Sequence, residues 1–134
     1  MNKEQAAMEY LVLSTVLILI ISLVIWYSFN IGNAASYQIK VSQLQSLVDR
    51  IAENSNLVCM LGKPAKQSLS AYVPEGVTEA GFANTTVYYK LLVGSTEVDI
   101  YSNSFCELNG SLPTSEGYYI VVLKAEEGYV NVSY

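Results

Sequence analysis

Residues 10–39 carry no charged side chain, and residues 11–29 read LVLSTVLILIISLVIWYSF, with Ser14, Thr15, Ser22 and Ser28 as the polar interruptions. At 1.5 Å per residue, about nineteen helical residues reach across the ~30 Å hydrocarbon core of a bilayer. The many Val and Ile residues would suit a strand, but no strand runs this long without a break. The first glycine is Gly32 and the first proline Pro64. A core helix of a soluble protein normally keeps a polar stripe, which this run lacks. The run therefore predicts a helix that is apolar all round and must be covered by lipid or by other chains.

Beyond Gly32 the pattern becomes amphipathic. Tyr37, Val41, Leu44, Val48 and Ile51 recur at spacings of four, three, four and three, a heptad-like seam. Gln38, Lys40, Gln43, Gln45, Asp49, Arg50 and Glu53 fill the intervening positions. The simplest expectation is one helix over residues 5–54, ending at Asn54, Ser55 and Asn56, with Gly32 tolerated inside it. Such a helix would be about 75 Å long, more than an eighty-residue head can cover. Its first half must project, while its second half lays the seam on something.

After residue 56 the signals are those of strands and turns. Residues 57–61, 67–73, 85–93, 97–101, 118–124 and 129–134 are short runs rich in Val, Ile, Tyr and Leu. Between them lie Gly62 and Pro64, residues 74–76, Gly94 and Ser95, residues 109–115, and Glu126, Glu127 and Gly128. The last trio predicts a hairpin loop. The fold class expected is α+β: a long N-terminal apolar helix and a small head, residues 55–134, built as one antiparallel sheet of four or more strands lying on the amphipathic half of the helix.

Composition narrows the function. A net charge of −5 with no basic cluster argues against nucleic acid as a partner, since phosphate binding needs grouped Lys and Arg. There is no histidine, so the commonest general base and transition-metal ligand are missing. Glu97 and Asp99 lie two apart on an expected strand and read as a solvated face. No nucleophile–base set can be assembled, no cofactor or metal site is expected, and the chain does not read as an enzyme.

The residues before the apolar run are Lys3, Glu4, Gln5, Ala6, Ala7, Met8, Glu9 and Tyr10. Over residues 3–31 this resembles the class III signal of archaeal type IV pilin-like proteins, in which a short basic leader meets Gln, small residues, Glu and an aromatic. The resemblance implies cleavage by a prepilin peptidase between Glu4 and Gln5, leaving residues 1–4 as leader and Glu9 as the fifth mature residue. Glu4 stands where that family usually has glycine. It further implies that the helix sits in the cytoplasmic membrane as a precursor, then enters a helical homo-oligomer on the cell surface with the help of a pilus assembly machinery. A carboxylate in an apolar setting needs a partner, and the family suggests the free amino terminus of a neighbouring subunit for Glu9. The alternative is a Glu9 that faces water at the membrane interface. The absence of proline through residue 50 fits an unbroken helix, similar to archaeal pilins, and residues 72–77, YVPEGV, are similar to a segment recurrent in their heads.

For a head outside the cell, Cys59 and Cys106 read as a disulfide, with two buried free thiols as the alternative. Three sequons, at Asn84, Asn109 and Asn131, fall in the head and are glycosylation candidates. Its eight tyrosines invite an adhesive reading, although tyrosine is also an ordinary strand residue. The expectation is a pilin polymerising through its apolar helix, for surface adhesion. The alternatives are a minor pilin or archaellin-like subunit, and a membrane-anchored binding protein that never polymerises.

Overall fold

The computed structural model describes residues 3–134, and of residues 3, 4, 33 and 34 the backbone alone. Helix α1 runs from Lys3 to Leu61. Seven strands follow: β1 (Lys66–Val73), β2 (Val77–Ala83), β3 (Thr86–Val93), β4 (Thr96–Asn103), β5 (Glu107–Gly110), β6 (Gly117–Ala125) and β7 (Tyr129–Ser133). Two compact units divide the chain, Met1–Ser36 and Tyr37–Tyr134, so the second half of α1 belongs with the strands.

The helix outlasts the stop signal at Asn54, Ser55 and Asn56, and residues 57–61, expected as a strand, are its last turns. Burial explains the difference. Leu44, Leu47, Val48, Ile51, Ala52, Ser55 and Val58 are all buried, so the seam continues past the polar triplet. Tyr37 and Val41, at its start, are half-buried. Asn54 does not stop the helix, because its Nδ2 donates to the Arg50 carbonyl one turn back at 2.7 Å. The true stop is Gly62. Its φ of 66° is the left-handed conformation that glycine adopts without penalty, and its N–H donates to the carbonyls of Val58 (3.1 Å) and Cys59 (3.2 Å).

The strands form two sheets rather than the single one expected. One has the order β1-β6-β7-β5, the other β2-β3-β4. All neighbours are antiparallel except β5 and β7, which run parallel. The β6–β7 hairpin forms as expected, its loop closed by the Glu126 N–H donating to the Tyr129 carbonyl at 2.9 Å. Two strands escaped the sequence pattern. β2, VTEAGFA, is poor in β-formers and breaks register between Val77 and Glu79. β5, ELNG, ends in a dipeptide that reads as a turn and is held by its partner instead.

One core gathers the helix seam and the inner faces of both sheets. Leu69, Ala71 and Val73 of β1, Val121 and Leu123 of β6, and Val130 and Val132 of β7 alternate inward from the first sheet. Val87, Tyr89 and Leu91 of β3, with Ile100 of β4, do so from the second. Period-two alternation on the strands meets the three-and-four spacing of the helix, which is why a head of this size has a continuous interior.

Candidate assembly surface

Within Met1–Ser36 the apolar run forms a helix with no covering of its own. Every large apolar side chain among residues 11–29 is between 49% and 71% exposed. The stretch is long and apolar enough to cross a membrane.

Its polar residues are dealt with internally. Ser14 Oγ and Thr15 Oγ1 both donate to the Leu11 carbonyl, at 2.9 and 2.8 Å. Ser22 donates to Ile18 at 2.8 Å and Ser28 to Val24 at 2.9 Å. All four interruptions of the run thus return their hydroxyl protons to the backbone one turn earlier, and none needs water or a partner helix. On either side of Gly32 the habit continues, with Asn30 donating to Trp26 at 3.3 Å and Ser36 to Gly32 at 3.1 Å. Gly32 itself has nothing within 4 Å of where a Cβ would stand, so it is a tolerated position and not a close approach within the chain.

Glu9 is exposed on this helix beside Met8, Val12 and Leu13. Among the described residues it has no hydrogen-bond or ion-pair partner. It is the acidic residue at the lip of the apolar run, directly before the uncharged stretch that begins at Tyr10. Gln5 lies in the first turns of α1 and is exposed. Residues 1 and 2 of the expected leader, and the Glu4 side chain at the expected cleavage site, lie outside the described residues.

In Tyr37–Tyr134 the two cysteines are joined, Cys59 to Cys106, with Cα atoms 6.5 Å apart. This ties the last turn of α1 to the loop between β4 and β5. A second connection lies one turn earlier and was not read from the sequence. Asn56 Oδ1 accepts from Ser104 Oγ at 2.7 Å and from the Phe105 N–H at 2.7 Å. Ser104 Oγ in turn accepts from the Cys106 N–H at 3.3 Å. The signal that could have found Asn56 is its place three residues before Cys59 on the same helical face.

The three sequon asparagines are all exposed. Asn84 sits at the tip of the β2–β3 hairpin with φ 56°, its carbonyl accepting from the Leu108 N–H at 2.7 Å. Asn109 and Asn131 are register partners across the parallel β5–β7 pair.

The tyrosines divide. Tyr89 is fully buried in the core. Tyr72 and Tyr118 pair on the outer face of the first sheet with centroids 4.8 Å apart, and Tyr118 is 85% exposed. On the second sheet Tyr88 lies over Gly81, where a Cβ would meet its hydroxyl at 3.0 Å, and that hydroxyl donates to Glu79 at 2.9 Å. Lys90 Nζ also reaches Glu79, at 2.6 Å. Hydrogen bonds from Lys90 and Tyr88 hold the Glu79 carboxyl below the usual carboxylate range, and the same contact raises Lys90. Glu97 accepts from Thr78 Oγ1 at 3.1 Å instead of pairing with Asp99.

Comparison of the chain with protein-family models, with curated proteins and with solved structures finds no match. The class to which the geometry points is a single-helix, membrane-competent chain with a disulfide-closed α+β head.

Proposed function

We propose that the chain is the subunit of an extracellular filament of the type IV pilin-like kind, polymerising through the apolar half of α1. The observation that carries this reading is that helix: apolar side chains exposed on all sides, with the hydroxyls of Ser14, Thr15, Ser22 and Ser28 satisfied from within. Such a surface is stable in lipid or among copies of itself, and unstable in water. The chain would sit in the cytoplasmic membrane as a precursor and then join a helical homo-oligomer at the cell surface. The N-terminal resemblance adds a prepilin peptidase acting before Gln5, an assembly machinery, and a role for Glu9 in pairing with a neighbour's amino terminus. Two features of the head support an exterior location, the Cys59–Cys106 bond and the exposed sequons. Adhesion fits the outward tyrosines, with Tyr118 the most prominent.

The test is electron microscopy of fibres sheared from cells that express the chain, with mass spectrometry of the fibre protein. Fibres composed of this chain, beginning at Gln5, are expected. Detergent-extracted monomers, with no fibre and a membrane-retained head, would replace the reading by a tethered binding protein.

A further inference from the structure

The parallel pairing of β5 and β7 has a consequence for the sequons that their positions in the sequence do not announce. Leu108 and Val130 are register partners and both are buried, so the next pair, Asn109 and Asn131, points together to the opposite, solvent side. Paired strands lie about 4.8 Å apart. Gly110 keeps the strands at that spacing. Its φ of 128° suits glycine, and a Cβ there would run into the Val132 carbonyl.

The two asparagines are not equivalent. Asn131 lies on β7, between β6 and β5, with Lys124 in register on one side and Asn109 on the other. Lys124 is itself held close by Glu126, at 2.8 Å. Asn109 lies on β5, at the edge of its sheet, with a ladder partner on one side and, on the other, the β2–β3 hairpin tip, whose Asn84 carbonyl takes the Leu108 N–H. Asn109 Oδ1 accepts from the Gly110 N–H at 2.8 Å, which leaves Nδ2 directed away from that bond. A glycan bonded through Nδ2 preserves this contact.

We infer that Asn109 and Asn131 form one modification site with room for a single N-linked glycan, which Asn109 takes. The inference rests on the head lying outside the cytoplasm, as in the proposed function. The donor is a lipid-linked oligosaccharide activated by phosphate. The asparagine Nδ2 forms a bond to the anomeric carbon as the bond from that carbon to the phosphate oxygen breaks, Nδ2 loses one proton, and the lipid phosphate leaves. A sugar ring with its hydroxyls is wider than the strand spacing, so two such rings rooted side by side on β5 and β7 would force the strands apart.

Two substitutions separate the sites without altering either asparagine. Ser111→Ala removes the Asn109 sequon and Ser133→Ala removes that of Asn131, and both serines are exposed. The full chain is expressed in a host with surface N-glycosylation, and intact mass and glycopeptides are read. In the unaltered chain, a glycan is expected at Asn109, with Asn131 bare. Ser111→Ala should raise occupancy of Asn131 at least tenfold, and Ser133→Ala should change nothing. Folded chains bearing glycans on both Asn109 and Asn131, or an Asn131 that stays bare in Ser111→Ala, would overturn the inference. Disulfide-bonded chains in fibres with no glycan would also overturn it and leave the filament reading standing. Free thiols and a head shielded from external protease would instead remove the exterior location on which both rest.

Discussion

Ser104 donates its hydroxyl proton to the Asn56 carboxamide oxygen across 2.7 Å and 48 residues of sequence. The same oxygen receives the Phe105 N–H. Two donors on a short loop thus converge on one acceptor near the helix end, just before the disulfide. Asn56→Ala leaves both donors without that partner and should destabilise the head by about 1–3 kcal/mol. Denaturant unfolding of the full chain in detergent, with the disulfide intact, measures it. Unchanged stability would show that the loop is held by Cys106 alone.

The disulfide itself closes a separation of 47 residues. In the chain-entropy model this stabilises by about 4 kcal/mol, a large part of the stability of a small domain. The Cys59→Ser, Cys106→Ser double variant should therefore melt well below the unaltered chain. Intact mass should rise by two hydrogen atoms on reduction of the unaltered chain and stay constant in the variant.

Two glycines with positive φ should respond differently to alanine. At Gly94, φ 62°, nothing lies within 4 Å of an added Cβ, so Gly94→Ala should cost only the backbone strain, about 1 kcal/mol. At Gly110 the added atom meets the Val132 backbone, so Gly110→Ala must also part β5 from β7. Its cost should exceed that of Gly94→Ala by at least about 1–2 kcal/mol. Equal midpoints for the two variants would show the β5–β7 contact to be dispensable.

Stability should fall at both ends of the pH scale, for different reasons. Glu79 is lowered by hydrogen bonds from Lys90 and Tyr88, and Glu126 by those from Lys124 and Lys63. A lowered carboxyl stabilises above its unfolded pKa, and that contribution is lost as pH falls through the folded one. The acid decline should thus begin near pH 4.5 and continue below it. Tyr89 is raised, chiefly by burial and then by Tyr134 and Tyr119. A raised group contributes fully below its unfolded pKa, and the contribution fades as pH climbs beyond about 10. Lys90 and Lys124, also raised, fade over the same alkaline range. Tyr89→Phe should lessen the alkaline loss without moving the acid limb. Its hydroxyl has no hydrogen-bond partner among the described residues, so stability at neutral pH should hold or rise. Melting curves across pH for the two chains test both limbs.

Assembly should depend on residues that contribute nothing to the head. Glu9→Ala should leave the chain in membranes and abolish fibres, because the apolar run suffices for insertion. Leu19→Lys places a charge in mid-run at a cost of about 2.5–3.5 kcal/mol in lipid and should also prevent fibres. Thr96→Lys, on the exposed start of β4, should be tolerated. Membrane fractionation beside electron microscopy separates insertion from assembly. Normal fibres from Glu9→Ala or Leu19→Lys would place the contacts elsewhere.

What the sequence revealed follows how local each signal is. The apolar run, the seam at Leu44, Val48 and Ile51, the β6–β7 hairpin and the cysteine pair are written in composition or spacing, and each is found. The helix terminus was misplaced because Asn54, Ser55 and Asn56 have stop-signal chemistry, while Ser55 is buried in the seam and Asn56 is bound by a loop distant in sequence. β5 is hidden because its last two residues, Asn109 and Gly110, have turn chemistry, and its strand character comes from pairing with β7, which is distant in sequence. The pairing of Asn109 with Asn131 was invisible for the same reason. Glu9 is legible as an oddity, and among the described residues it has no partner.

The hydroxyls turned back onto the helix backbone bear on how such a segment could change surroundings. In the proposed passage from bilayer to bundle, Ser14, Thr15, Ser22 and Ser28 have no hydrogen bond to surrender and none to acquire. Acyl chains and neighbouring Leu and Ile side chains are nearly equivalent solvents, so the transfer gains little from the hydrophobic effect and is decided by how tightly the helices pack. A helix so indifferent to its solvent can be withdrawn as readily as it is delivered. In the proposed filament the direction of travel would then be set by whatever performs mechanical work on the subunit, and the same fibre could grow or be taken back.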